Sequence, residues 1–542
     1  MKKSFIKQLS IVVATATMVT SLSACGNKTE TKNNNSKSGL PLITLEFLGP
    51  SNTSTINNWD SVMAKFYEQT KDTLNLKINY TFTTFDNIGQ KISLKFAAGD
   101  PLDCTFSAPW TNPNISQMVS KGQIANLDKY FTDSKYSGLK KAFNQDYLKN
   151  NSFADSTGEY HIYGVPFSHG FTAAGAVYYR KDLADKYGIG DIKSYDDLLK
   201  YNDAIKANEK GMIPMSWLGS SDGISGAIQH FIDPVATKHN TATIAGVGLI
   251  IKDDGSVYAS TNAISPALDP EFQKLQEAPL NTLDPLREYK TARDWYTKGY
   301  VEKDILSQKD AEAQFASGKA ASFIRSIDTF SEIDGRLANG VPGAKLGYWC
   351  QDEAPKSIGT DFRAWNFGVL PVTSKNQDRT MSFFNWLYTD KKNHDLFELG
   401  VEGKDWEAVG TDKYKVPTGV DAKSVYNFPG FIMTWNPTMQ KYDSKNPDAI
   451  VKKMNNYGNT NFYYKTIEAG FTFVPDAVKN EMAKMGDLLS LTRAVQNGVI
   501  ADIPGKLVDI QKQYDQAGFS KVRAEVLKQY SAWLKVNPYK GE

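Results

Sequence analysis

Apolar positions along the chain change period in a regular order. Residues 42–49 (LITLEFLG) alternate apolar and polar side chains closely enough for a strand. Trp59, Val62, Met63, Phe66 and Tyr67 then recur at the spacing that gathers them on one face of a helix. Leu76, Ile78, Tyr80 and Phe82 return to a two-residue period, Ile88, Ile92 and Phe96 to the helical one, and Gly99 supplies a stop. Residues 103–107 read as a third strand. Strand–helix–strand–helix–strand at these spacings predicts an α/β fold, with a parallel-rich sheet covered by helices. Ligands of such sheets sit where the carboxyl ends of the strands feed their loops, which makes residues 107–114 (SAPWTNPN) a ligand-side loop.

The same alternation resumes with a strand at 175–179 and a helix at 195–208. Lys252-Asp253-Asp254-Gly255-Ser256 carries the Asp-Gly pair of a hairpin turn, where glycine accepts the positive φ the turn demands. The rest of an EF-hand spacing is missing, so these aspartates are not a calcium loop. Val478, Met482 and Met485, and later Val522, Val526, Tyr530, Trp533 and Leu534, show helical periodicity.

The first forty residues follow neither pattern. Lys2, Lys3 and Lys7 precede an apolar run over 9–22 and then Leu22-Ser23-Ala24-Cys25, the layout of a secretory signal. The run is too short, and too rich in Ser, Thr and Ala, for a spanning helix of about 20 strongly apolar residues. Leu-Ser-Ala-Cys resembles the bacterial lipobox, which implies a diacylglyceryl group on the Cys25 sulfur; a second acyl chain makes such an anchor durable. Residues 26–39 (GNKTETKNNNSKSG) contain no apolar side chain and read as a flexible tether.

Roughly 500 residues follow the tether, too many for a single core. Removing the three signal lysines takes the formal charge from +2 to −1 (2 − 3), which gives no reason to expect a nucleic-acid partner. With Cys25 lipidated, Cys104 and Cys350 are left, either paired outside the cell or standing as separate thiols. Five histidines without HExxH or paired CxxC argue against a zinc site, and no metal or cofactor is implied.

Several short segments stand in a familiar order. They are Ala97-Ala98-Gly99-Asp100-Pro101-Leu102-Asp103, Lys121-Gly122 through Leu127-Asp128, Ile162-Tyr163-Gly164-Val165-Pro166, Tyr178-Tyr179-Arg180-Lys181-Asp182-Leu183, and Phe315-Ala316-Ser317-Gly318-Lys319-Ala320-Ala321. Together they resemble the extracellular solute-binding protein family 1, the oligosaccharide-binding group of ABC importer receptors. Residues 384–390 (FNWLYTD) and 400–403 (GVEG) resemble a Firmicutes lipoprotein subgroup with an extra C-terminal domain of unassigned function, and residues 471–533 look like that domain. Cys104 stands where this resemblance would place a plain aliphatic strand residue.

The resemblance implies a two-lobed, periplasmic-binding-protein-like clamp on a hinge of two or three chain crossings. It also implies a monomer held to the extracytoplasmic face of the membrane through Cys25, an oligosaccharide ligand, and ABC permease subunits that recognise the closed form. The expected division assigns 1–25 to the signal, 26–39 to the tether, 40–166 with 310–360 to the N-terminal lobe, and 167–309 with 361–430 to the C-terminal lobe. Residues 431–542 form a C-terminal helical region expected to brace the lobes and narrow one end of the cleft.

A sugar presents hydroxyls and an apolar ring face, so its cleft needs flat aromatic platforms and orienting polar groups. Trp110, Trp435, Trp217 and Trp365 lie in loop-like contexts and are the candidate platforms, whereas Trp59, Trp386 and Trp533 fall on helical apolar faces and belong to the core. Asp103, Asn112, Arg325, Asp361 and Arg363 are candidates for hydroxyl recognition, since a carboxylate or guanidinium can hold two hydroxyls at once. The competing role for each charged group is an ordinary ion pair. Two rival functions are open. Gly219-Ser220-Ser221-Asp222-Gly223 fits the G-x-S-x-G elbow of a hydrolase, with His230, His239 and His394 downstream. A clamp for a peptide or other non-sugar solute would share the fold but favour an Arg/Lys-lined cleft.

Overall fold

The computed structural model describes residues 37–539 apart from 52–54, 144, 168–174, 218–222, 234–238, 264–267, 352–353 and 437. The first sheet has five strands in the order Leu76–Thr83, Ile43–Pro50, Cys104–Ser107, Phe367–Val369, Val165–Pro166. Its first three strands are parallel, in register from Ile43↔Leu76 to Pro50↔Thr83, and Phe367–Val369 runs against Cys104–Ser107. Helices Trp59–Thr70 and Ile88–Ala98 connect the parallel strands, as their periodicity predicts. The second helix stops at Gly99, whose φ of +68° turns the chain while its N–H caps the Lys95 carbonyl.

This sheet is buried by rings. Phe47, Phe66, Phe383, Phe384 and Phe397 share one core, with Trp59 and Trp386 at its margin. Trp386 meets Phe66 edge-on at 4.9 Å. The phenylalanines at 383, 384 and 397 come from helices Gln377–Thr389 and Lys391–Leu399, far along the chain.

The second sheet centres on Gly175–Arg180, which pairs antiparallel with Ser322–Ser326 on one side and Leu346–Trp349 on the other. The segment around Ile213 and Ser216 lies parallel beside Ala320 and Phe323. These pairings exchange two of the expected blocks. Residues 310–360 belong with the second lobe, and Phe367–Val369 and the helices after it belong with the first. The strands concerned are three to five residues long, and alternation that short carries no record of which sheet it joins.

The chain therefore crosses between lobes three times: between Phe167 and Gly175, through 358–366, and between Met433 and Asp448. The third crossing divides the expected C-terminal region. Ile432 and Met433 sit in the first core, while helix Asp448–Tyr457 packs on the second sheet. The separate C-terminal unit starts near Ile467. Its helices Lys479–Gln496, Ile503–Ala517 and Phe519–Val536 cover a three-stranded antiparallel sheet of residues 241–259, whose turn is the Asp-Gly hairpin. Trp533 lies in that core against Tyr530 and Phe471. Cys104 and Cys350 belong to different lobes and are not joined by a disulfide.

Trp295 is the largest fully buried side chain of the second lobe, and its indole N–H donates to the Tyr195 hydroxyl at 3.0 Å. Trp295→Ala is expected to destabilise this lobe by about 3–5 kcal/mol, read by urea unfolding. A loss under about 1 kcal/mol would contradict the packing described.

Candidate functional site

Strand direction decides where a ligand can meet both lobes. The three parallel strands of the first sheet end at Pro50, Thr83 and Ser107. In the second sheet Gly175 arrives directly from the first crossing and pairs with Ser326, while Val177 pairs with Trp349. Antiparallel pairing thus puts the carboxyl ends of Ser322–Ser326 and Leu346–Trp349 at the edge that faces the crossings. Loops from both sheets converge on the interlobe space.

The first-lobe wall is aromatic. Trp110, 49% exposed, lies 5.8 Å from both Phe85 and Phe106. Phe431 stacks on Phe85 at 5.9 Å and meets Phe106 edge-on at 6.4 Å. Asn366 links this patch to the second crossing: its side-chain amide donates to the Phe431 carbonyl at 2.9 Å, and its own carbonyl accepts from the Phe167 N–H. The neighbouring Trp365 is 59% exposed. Trp435 is half-buried on the turn that carries Phe431, its N–H bonded to the Gly430 carbonyl. Gly89 lets the Trp110 loop lie close, because a Cβ there would sit 2.2 Å from the Asn112 carbonyl oxygen. Asn112 itself is exposed beside Trp110.

On the facing lobe, Trp217 follows the segment that runs beside Ser322–Ser326 and packs against that lobe's core. Trp349 stacks on Phe231 at 4.8 Å. Phe85, Phe431 and Trp349 were not singled out by the sequence; the cue for Phe85 and Trp349 is the one that marks Trp110, a ring at or just past a strand's carboxyl end, whereas Phe431 lies on the turn Gly430–Ile432 and carries no such cue. Ser107 offers a buried hydroxyl at the same end of its strand, without a hydrogen-bond partner among the described residues.

Three of the expected polar ligands are held by partners within the protein. Asp103 precedes its strand and so lies at the amino edge, where its carboxylate accepts from the Glu46 N–H at 2.9 Å, the Ser374 hydroxyl at 2.6 Å and Asn376 at 3.2 Å. Arg325 forms an ion pair with the buried Glu312, which also takes Arg336 at 2.6 Å. Arg363 donates to the Asn150 carbonyl and the Thr472 hydroxyl, each at 3.1 Å, and covers the Phe153 ring at 5.1 Å. Burial holds its guanidinium below the usual range. Asp361 accepts the Arg363 N–H at 2.9 Å and stays at the same crossing.

The model of the bacterial extracellular solute-binding proteins matches residues 52–394, the larger part of the chain. The chain belongs to that family. A domain of unknown function matches residues 467–535, the three-helix unit. The solute-binding protein is 22% identical over 534 residues to a carbohydrate ABC transporter substrate-binding protein of Streptococcus pneumoniae, covering 95% of each chain. Among solved structures it is similar to an N-glycan transport solute binding protein of S. pneumoniae (TM-score 0.67, 18% identity, 91% of this chain and 99% of that one). A crystal form of that protein in complex with Man5GlcNAc also matches, with a TM-score of 0.59 at 19% identity over 92% and 100%. An HMO-binding, ABC-transporter-associated protein of Bifidobacterium longum infantis matches with a TM-score of 0.57 at 17% identity over 91% and 99%. These likenesses establish the two-lobed fold.

Membership in a family of binding proteins removes the hydrolase reading. Residues 219–222 of its elbow lie outside the described residues, as does the side chain of His230. His394 is buried in the first lobe, bonded to the Thr434 carbonyl at 2.7 Å, and His239 stacks on Tyr464 at 3.4 Å.

Trp217 is held from below by Glu302. That carboxylate accepts from the Ser216 hydroxyl, from Gln308 at 3.3 Å and from the Trp217 backbone. Burial raises its pKa above the ordinary 4.5, so the folded state favours the neutral acid. Its favourable contribution is present below about pH 4.5 and is lost as pH rises through the raised value. Glu302→Gln is therefore expected to raise Tm near neutral pH and to match the parent protein below about pH 4.5. Equal Tm at both pH values would show that no charge is being buried there.

Proposed function

We propose that this solute-binding protein captures an oligosaccharide between its lobes and delivers it to the permease of an ABC importer. The observation that carries the reading is the first-lobe platform of Trp110, Phe85 and Phe431 by the carboxyl ends of the strands, with the exposed Trp365 next in sequence to Asn366, which bonds to Phe431. Rings exposed there match the apolar face of a pyranose, while Asn112 and Asn366 supply amides at its margin. The two candidate guanidiniums, Arg325 of the second lobe and Arg363 of the second crossing, are engaged within the protein. That disfavours an anionic solute or a peptide carboxylate. The carbohydrate ligands named for the pneumococcal and bifidobacterial relatives point the same way.

Ligand that bridges Trp110 on one lobe and Trp217 on the other makes its full contacts only in the shut state, so binding shifts the open–closed population. The protein acts as a monomer on the outer face of a Gram-positive cell membrane, anchored through lipid on Cys25 and set off from the bilayer by residues 26–39.

Thermal shift against matched glycan and peptide panels tests the ligand class. A neutral oligosaccharide is expected to raise Tm by several degrees, and Trp110→Ala to weaken its Kd about tenfold or more, roughly 1.4 kcal/mol. A lead for peptides, or unchanged sugar affinity in the variant, would overturn the reading. Cys25→Ser is expected to move the protein from the membrane fraction to the medium and abolish palmitate labelling; retention on the membrane would refute the anchor.

A further inference from the structure

The three-helix unit is fixed to the second lobe. Its apolar core is shared with the sheet of residues 241–259 and with Tyr289. Arg523 donates to the Ala259 carbonyl at 2.8 Å and the Ser260 carbonyl at 2.9 Å. Arg293 donates to the carbonyls of Gly498 and Val499, both at 2.9 Å. Where one lobe swings, this unit swings with it.

Yet the loop that leads into it touches the other lobe. Strand Tyr463–Lys465 pairs parallel with Ile358–Thr360 of the second crossing, and the Thr466 N–H continues the ladder to the Thr360 carbonyl at 3.0 Å. Six residues on, Thr472 is buried, accepts from Arg363, and places its backbone against the Tyr160 hydroxyl of the first lobe. Gly470 has φ +89°, and a Cβ there would stand 3.2 Å from the Asn150 side chain. Arg363 ties the same point to the Asn150 carbonyl. Fully buried Asn151 fixes the hinge backbone from the first-lobe side, donating to the Phe362 carbonyl at 2.9 Å and accepting from the Ala364 N–H at 2.6 Å. Phe362 between them has φ +53°, a conformation that costs a bulky residue about 1–3 kcal/mol and persists only when its surroundings impose it.

We infer that the C-terminal unit is an opening stop. Rigid on the second lobe, it presses residues 470–472 onto Asn150 and Tyr160 of the first and onto Arg363 of the second crossing, and so limits the angle through which the hinge turns. It tunes affinity by setting how far the empty clamp opens, with no contact to the ligand itself. This rests on the clamp reading above, and it holds whichever solute is bound.

The test reads the empty protein. Spin labels at Lys91→Cys and Lys200→Cys, both exposed and on opposite lobes, report the interlobe distance in a Cys350→Ser background, Cys104 being buried. The double variant Thr472→Val with Tyr160→Phe removes the polar contacts while keeping shape. The expected result is a mean label distance shifted by more than about 2 Å, or a distribution broadened by that amount, with the thermal midpoint nearly unchanged. An unchanged distribution, with or without a lower midpoint, overturns the proposal. Arg363→Met is the stronger perturbation but also removes a hinge support, so the double variant decides. A protein that binds peptides and not sugars would leave this result intact.

Discussion

Each lobe closes a core of its own, and the rest of the molecule follows from that separation. The buried side chains of the first sheet and those of the second form disjoint sets, bridged at their margins by Phe362 on the second crossing. Densely packed interiors resist gradual deformation, so relative motion is confined to the three crossings. A solute that touches both lobes then couples to one collective coordinate. The aromatic wall can be rigid because it is built on the first-lobe core: Phe106 belongs to that core, and Phe431 packs against it. Rings with two side-chain torsions lose little entropy on contact, which suits a platform that must be ready before ligand arrives.

The first lobe was legible in the sequence because its signals are local. Strands at 43–50, 76–83 and 104–107 and the helices between them follow from periodicity within windows of about a dozen residues. The exposed position of Trp110 was legible for the same reason, the residue being a large ring among Pro, Asn and Thr immediately after a strand. Asp103 sits only seven positions earlier and was misplaced. A four-residue strand rising about 3.3 Å per residue intervenes, and it sets the two residues at opposite edges of the sheet.

What the sequence hid is long-range pairing. Arg325 meets Glu312 across a helix–strand connection, and Arg363 meets Thr472 over more than a hundred residues. Neither partner announces itself, since a lone arginine reads alike whether it faces a ligand or a buried acceptor. The exchange of 310–360 with 361–430 has the same origin. Phe367–Val369 could pair with any open edge of suitable length; its place beside Cys104–Ser107 is fixed by the core that Phe383, Phe384 and Phe397 complete.

The C-terminal unit shows how a clamp acquires a third part without a new ligand contact. Its helices would be marginal alone, but stacked on the 241–259 hairpin sheet they enclose Leu249, Leu507, Ile510, Val522 and Val526 in a fully buried interface. That interface fixes the orientation of the unit on the second lobe, which in turn fixes where the loop 466–473 points. Because strand Tyr463–Lys465 runs in register with the hinge strand Ile358–Thr360, the loop leaves from the pivot itself. A contact made close to a pivot moves little while the lobe tips move far, so a few polar bonds at Arg363 and Thr472 hold a lever arm as long as the lobe. The guanidinium serves this place better than an ammonium would: its planar fork reaches the Asn150 carbonyl and the Thr472 hydroxyl at once while its face lies over Phe153.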